Sequence, residues 1–223
     1  MLVAVLATGG KDSTLALFKA LCAGHRVKYL ASMIPLREDS WMFHYPNIRL
    51  VDLFAEAVDI PLAKAETSGV KEEEVEDLKR LIEKLGVEGL VSGAIASEYQ
   101  KARVEQICEV LNLKCISPLW HKNPIDILRE IIKLKFDVII TGVSAYGFDP
   151  EWLARRIDDA ALKDLIELNR KYGISVVGEG GEYETLVLNG PLFKKRITII
   201  EGKKVWKDQS GYFSVKTAIL ENK

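Results

Sequence analysis

The sequence predicts an α/β protein: a parallel sheet with helices on both faces, followed by a smaller C-terminal α+β subdomain. Three observations carry this expectation. Short runs rich in β-branched residues alternate with longer stretches whose apolar residues recur every three or four positions. A Gly-Gly pair follows the first apolar run directly and opens a helical pattern. From Thr185 onward the helical spacing gives way to short strand-like runs with Gly-rich connections.

Taken in order, Leu2 to Ala7 reads as a first buried strand. It is apolar but too short to span a bilayer, and it lacks a basic start or a small-residue cleavage site. Further strands are expected at Val27 to Ile34, Leu62 to Glu66, Gly89 to Gly93 and Lys114 to Ser117. Helices are expected at Asp12 to Ala23, Ile48 to Val58, Glu72 to Leu85 and Ser97 to Asn112. In the third helix Val75, Leu78, Leu81, Ile82 and Leu85 form one apolar stripe, the pattern of a core-facing amphipathic helix. Around Pro118-Leu119-Trp120 the proline restricts its neighbour and marks a joint, so residues 1–118 and 119–223 are read as two parts. Beyond it we expect a helix over Pro124 to Leu134, a strand over Asp137 to Thr141 and a helix over Asp159 to Lys171. Strands follow at Thr185 to Leu188, Arg196 to Glu201, Lys203 to Trp206 and Phe213 to Leu220, ending in a hairpin.

Composition narrows the function classes. The chain has 223 residues, 48% hydrophobic and 28% charged, which excludes a collagenous or largely disordered protein. Lys+Arg 31 against Asp+Glu 32 gives a net charge of -1, so stable nucleic-acid binding through a basic face is not expected. No apolar stretch is long enough for a membrane span. Cys22, Cys108 and Cys115 are an odd number without CxxC spacing, pointing to neither a disulfide framework nor a zinc site and fitting a reducing, cytoplasmic location.

Thr8-Gly9-Gly10-Lys11-Asp12-Ser13-Thr14 carries the clearest chemistry. Two glycines after a buried strand allow a tight turn and close backbone approach to a ligand. At the start of a helix, the amides of Gly10 through Ser13 and the positive dipole end would attract an anion. Lys11 adds charge, and Ser13 and Thr14 add hydroxyls. An ordinary helix cap by Asp12 is the plainer alternative. Neither a Walker A pattern nor GxGxxG is present, which disfavours P-loop kinases and dinucleotide-binding dehydrogenases.

This strand-loop-helix resembles the SGGxDS loop of the N-type ATP pyrophosphatases, a PP-loop superfamily with a Rossmann-like (HUP-like) sheet, with Thr8 in place of the first serine. Three further segments resemble the diphthine-ammonia ligase family: Ser92-Gly93-Ala94-Ile95-Ala96-Ser97-Glu98-Tyr99-Gln100-Lys101-Ala102-Arg103-Val104-Glu105, the Pro118-Leu119-Trp120 joint, and Gly178-Glu179-Gly180-Gly181-Glu182-Tyr183-Glu184-Thr185. Ser40-Trp41-Met42-Phe43-His44 agrees with them. The resemblance implies ATP-dependent amidation of diphthine on translation elongation factor 2 with ammonium, through an acyl-adenylate, releasing AMP and pyrophosphate. It implies ATP and Mg as cofactors, Lys11, Asp12 and Ser13 as catalytic residues, and Asp12 as the candidate magnesium ligand.

Nucleotide-binding candidates are Ala7, Thr8, Gly9, Gly10, Lys11, Asp12, Ser13 and Thr14; in the fold that this loop resembles, adenine lies beside the ends of the first and second strands, which implies Ala7 and Met33 for backbone contacts to adenine and Gly93 for the ribose side. Ser97, Gln100 and Arg103 share a helix face near the carboxyl ends of the strands and join Glu105 as substrate-binding candidates. A solvated polar face is the alternative. Glu179, Glu182 and Glu184 crowd around three glycines, so a cation is expected to offset them: the trimethylammonium of diphthine, ammonium or magnesium. His44, in an aromatic segment, is read either as a substrate or proton-transfer group or as packing. A homodimer is compatible with the sequence. Two other functions fit the loop: an adenylating tRNA thiolase, which would need a sulfur-carrying cysteine, and a non-catalytic adenine-nucleotide sensor.

Overall fold

The computed structural model describes residues 1–35, 47–68 and 71–223. The chain divides into two compact units, Met1–Trp120 and His121–Lys223.

The first unit holds β1 (Leu2–Leu6), α1 (Lys11–Cys22), β2 (Arg26–Pro35), α2 (Val51–Val58), β3 (Leu62–Thr67), α3 (Lys71–Glu83), β4 (Gly89–Val91), α4 (Glu98–Val110) and β5 (Lys114–Ile116). The five strands form a parallel sheet in the order β3-β2-β1-β4-β5. On one face Ala4, Ala31, Met33 and Leu90 pack with Leu78, Leu81, Ile82 and Leu85 from the α3 segment and Val104, Ile107 and Cys108 of α4. The expected stripe on the third helix is therefore the stripe that meets the core. Strand alternation turns Val3 and Val5, both fully buried, toward the opposite face, and α1 packs along β1, β2 and β4. The chain runs outward from β1 through β2 to β3 and then returns to the other side of β1 as β4. That reversal leaves a crevice beyond the carboxyl ends of β1 and β4, where open α/β sheets bind ligands.

Several element ends differ from expectation, two of them next to the site or the helix starts. The helix expected from Ile48 opens as a 3₁₀ turn, Ile48–Leu50, before α2. The fourth strand stops at Val91, two residues short of the expected Gly93, although Ser92 N still donates to Ile116 O of β5 at 2.9 Å.

The second unit contains α5 (Pro124–Lys133), β6 (Asp137–Val143), α6 (Asp159–Tyr172), β7 (Tyr183–Asn189), β8 (Lys195–Lys207) and β9 (Ser210–Asn222). Its helix starts are capped by short polar side chains: Asn123 Oδ1 accepts from Ile125 N at 2.9 Å, and Asp158 Oδ1 accepts from Ala161 N at 2.8 Å. Gly173, with φ of 73°, closes α6 in the left-handed conformation. The sheet is antiparallel in the order β7-β6-β9-β8. The runs Arg196 to Glu201 and Lys203 to Trp206, expected as separate strands, form one strand. Gly202 interrupts the register as a bulge rather than a turn, since a Cβ there would lie 2.2 Å from the Phe213 ring. The terminal hairpin is present, turning at Asp208 with φ of 54°.

Leu78 lies fully buried at the centre of the α3 contact with the sheet. We expect Leu78→Ala to cost about 2–5 kcal/mol, read as a lower urea midpoint with an unchanged slope.

Candidate functional site

The turn between β1 and α1 is bound by its own side chains. Gly9 takes φ of 79°, a conformation costly for any side chain, and Gly10 is the N-cap of α1 with no side-chain cap of its own. The Thr14 hydroxyl donates to Gly10 O at 2.8 Å, and the Ser13 hydroxyl donates to the same carbonyl at 3.1 Å. Thr8 N lies 3.4 Å from Ser13 Oγ and Gly10 N lies 3.4 Å from Thr8 Oγ1. The expected hydroxyls thus hold the turn in shape at the point where a helix presents its first amides. Lys11 is only 4% exposed, and its ammonium lies 2.8 Å from the Asp12 carboxylate. An arriving phosphate would meet this ion pair instead of a lysine waving in solvent.

Gly93 faces the turn from the β4 side. A Cβ on it would stand 2.8 Å from Ser13 N, 2.9 Å from Asp12 C and 3.0 Å from Asp12 O. Backbone cannot move aside as a flexible side chain would, so only glycine fits. The expectation that placed Gly93 beside a ribose missed this contact with α1; a glycine closing the strand next to the sheet's reversal was the available signal.

On the other side of β1, the last β1–β2 pair is Leu6 with Ala31, and Ala7 N donates to Ala31 O at 2.9 Å. From Ser32 to Pro35, β2 runs on paired with β3. The Ala7 amide is therefore committed to the sheet. Met33 lies where β2 extends past its β1 neighbour, with its side chain buried in the core.

The polar positions of α4 separate into different roles. Ser97 is the N-cap, its hydroxyl accepting from Gln100 N at 3.3 Å. The Arg103 guanidinium stacks over the Tyr99 ring at 3.5 Å. Glu105 pairs with Lys101, whose ammonium sits 5.0 Å from the centre of the Trp120 ring. Glu105 thereby pairs along the helix with Lys101, which in turn reaches Trp120 beyond β5.

In the second unit, Glu179 and Glu182 lie in the loop before β7 and Glu184 near the start of β7, all half-buried. Glu182 Oε1 accepts from Ser175 N at 2.8 Å, and its other oxygen, Oε2, is buried without a hydrogen-bond partner. Glu179 N lies 3.4 Å from Ser175 Oγ. Tyr183, fully buried, donates to Val176 O at 2.7 Å, and Gly178 has space for no Cβ against its ring. Glu184 lies on β7 opposite Gly142 of β6. The loop is thus a built structure in which the Glu182 carboxylate is tied to backbone through one oxygen and buried at the other. His44 lies outside the described residues. Among the described residues no cluster of three or more His, Cys, Asp or Glu is placed to hold a metal, and no helix is long and apolar enough to cross a membrane.

A parallel sheet reversing at β1, with a glycine-built helix start set into the reversal, defines an open α/β protein of the kind that binds ligands at its switch point. Residues 1–115 match the diphthamide synthase N-terminal domain and residues 123–220 the diphthamide synthase C-terminal domain, so the chain belongs to the diphthamide synthase family. Diphthine-ammonia ligase from Homo sapiens is 40% identical over 89% of this chain and 83% of its own length. That from Mus musculus is 37% identical over 96% of this chain and 89% of its own. Diphthine-ammonia ligase from Schizosaccharomyces pombe is 36% identical over 99% of this chain, which spans 40% of that longer protein.

The Gly93 contact generates a direct expectation. Gly93→Ala should keep the fold by circular dichroism while weakening ATP binding by on the order of tenfold or more, because the turn must shift. Gly24→Ala, at φ of 78° in open space, should cost about 1 kcal/mol of stability and leave ATP affinity unchanged.

Proposed function

We propose that this chain amidates the diphthine carboxylate of translation elongation factor 2, using ATP and ammonium and releasing AMP and pyrophosphate. The observation that carries the reading is the Gly93-closed turn at the sheet's reversal, found in a chain of the diphthamide synthase family. A carboxylate is a poor electrophile, since its charge repels nucleophiles and oxide leaves badly. Activation removes both obstacles. A carboxylate oxygen attacks the α-phosphorus of ATP, the bond to the β-phosphate oxygen breaks and pyrophosphate departs. Ammonia then attacks the acyl carbon, its C–O bond breaks, and AMP leaves.

The chain's own groups suit the first step. The amides at the start of α1, with the Ser13 and Thr14 hydroxyls fixing the turn around them, would hold the pyrophosphate as its charge develops. Lys11 would turn from Asp12 toward that charge. Magnesium, when bound, would neutralise phosphate oxygens; Asp12 is the single carboxylate on the turn, which fits a metal held largely by phosphates and water. Met33, on the overhanging part of β2, suits backbone contact with adenine. In the second unit, the buried Glu182 Oε2 suits a cation, either ammonium or the trimethylammonium of diphthine.

The test incubates diphthine-bearing elongation factor 2 with the protein, MgATP and ammonium. We expect the modified histidine to show the mass change of a carboxylate becoming an amide, with AMP formed in equal amount. Unchanged factor with ATP still split to AMP would move the activity to another acceptor. Lys11→Ala and Ser13→Ala should lower pyrophosphate release on the order of a hundredfold. Glu182→Gln should spare ATP binding and impair amidation; a loss of nucleotide affinity instead would place Glu182 in the nucleotide site.

A further inference from the structure

Ser32 belongs to the part of β2 that outruns its neighbour. The last β1–β2 pair is Leu6 with Ala31, and Ala7 N closes the pairing on Ala31 O at 2.9 Å. Beyond that bond the first strand turns away into Thr8-Gly9-Gly10 and α1, while β2 continues through Ser32 to Pro35 along β3. From Ser32 onward, the flank of β2 that β1 has left therefore opens on the crevice at the sheet's reversal. Ala31 and Met33 join the core packed by α3 and α4, so strand alternation turns Ser32 to the other face, the face of Val3, Val5 and α1.

Its hydroxyl is anomalous there. Ser32 is only 2% exposed, between the buried Leu30, Ala31 and Met33, and its Oγ has no hydrogen-bond partner among the described residues. The hydroxyls of the adjoining turn are engaged with one another or with Gly10 O. Lys64, the register partner of Ser32 on β3, gives its ammonium to Asp52 of α2 at 2.6 Å. A hydroxyl withdrawn from water without a partner destabilises the fold, a cost that alanine at the same position would not carry.

We propose that Ser32 is a nucleoside-binding residue, its hydroxyl bonding the purine edge of a nucleotide laid along the overhang of β2; the inference rests on the nucleotide reading of the crevice given above. Placement divides the labour. The amides opening α1 and the Lys11 ammonium lie at the turn and suit phosphate, whereas Ser32 lies on the neighbouring strand, one residue before Met33. A hydroxyl both gives and takes a hydrogen bond, which matches a purine edge that sets a ring nitrogen beside an exocyclic group. The same hydroxyl is a liability in the free chain and a contact in the bound one. Removing it therefore acts in opposite directions on the two states.

The test compares the full chain with its Ser32→Ala and Thr67→Val variants. Thr67 is the control: it is also 2% exposed with a hydroxyl unpartnered among the described residues, but it lies on β3, two strands from β1, opposite Pro35. Calorimetry reads the binding of ATP, AMP and inorganic pyrophosphate, and melting temperatures are taken without ligand. We expect Ser32→Ala to melt no earlier than the unaltered chain and to bind ATP and AMP on the order of tenfold more weakly, with pyrophosphate affinity unchanged. Thr67→Val should keep all three affinities. Unchanged ATP and AMP binding in Ser32→Ala would overturn the proposal, as would an equal loss for pyrophosphate or an equal loss in Thr67→Val. A Ser32→Ala chain that melts earlier would make the hydroxyl part of the fold and overturn it too. Each of these failures leaves the nucleotide reading standing; an unaltered chain that binds neither ATP nor AMP would remove that reading and the inference together.

Discussion

The site depends on the closeness of two backbones. Gly93 reaches the Asp12–Ser13 peptide so nearly that a single methyl group would stand 2.8 Å from Ser13 N. This contact fixes where α1 begins relative to β4, and hence where its first amides lie. Its energetic weight follows from what those amides do. The helix dipole alone contributes about 0.3–1 kcal/mol toward an anion, whereas each hydrogen bond to a charged group contributes about 1.5–3 kcal/mol. Precise placement of several donors therefore matters more than the field of the helix.

The second unit uses the same economy of space. Gly178 yields to the buried Tyr183 ring, whose hydroxyl holds Val176 O, and Glu182 reaches back to Ser175 N. Acids as close in sequence as Glu179, Glu182 and Glu184 would ordinarily repel one another. Here one oxygen of Glu182 accepts from the Ser175 amide and the other is buried, which ties that carboxylate into the loop.

Much of this was legible in residue order. Alternation and three-to-four spacing place every strand and helix of the first unit, because a sheet buried on both faces requires uniformly apolar strands and striped helices. The Gly9-Gly10 turn was legible because two adjacent glycines between a strand and a helix have few other uses. What escaped were contacts between residues distant in sequence. Gly93 against Asp12 and Lys101 over Trp120 depend on how α1, β4, α4 and the segment after β5 come together, which local periodicity does not encode. Gly202 misled for a different reason, since a glycine that marks a turn and a glycine that marks a bulge look alike until the facing Phe213 is known.

Hydrogen exchange with and without a non-hydrolysable ATP analogue tests the central claim most directly. The account predicts slowed exchange at the amides from Gly9 to Thr14, at Gly93 and Ala94, and along Ser32 to Ile34, the three segments that border the sheet's reversal. Protection confined to other segments, with exchange at Gly9 to Thr14 unchanged under saturating nucleotide, would contradict it.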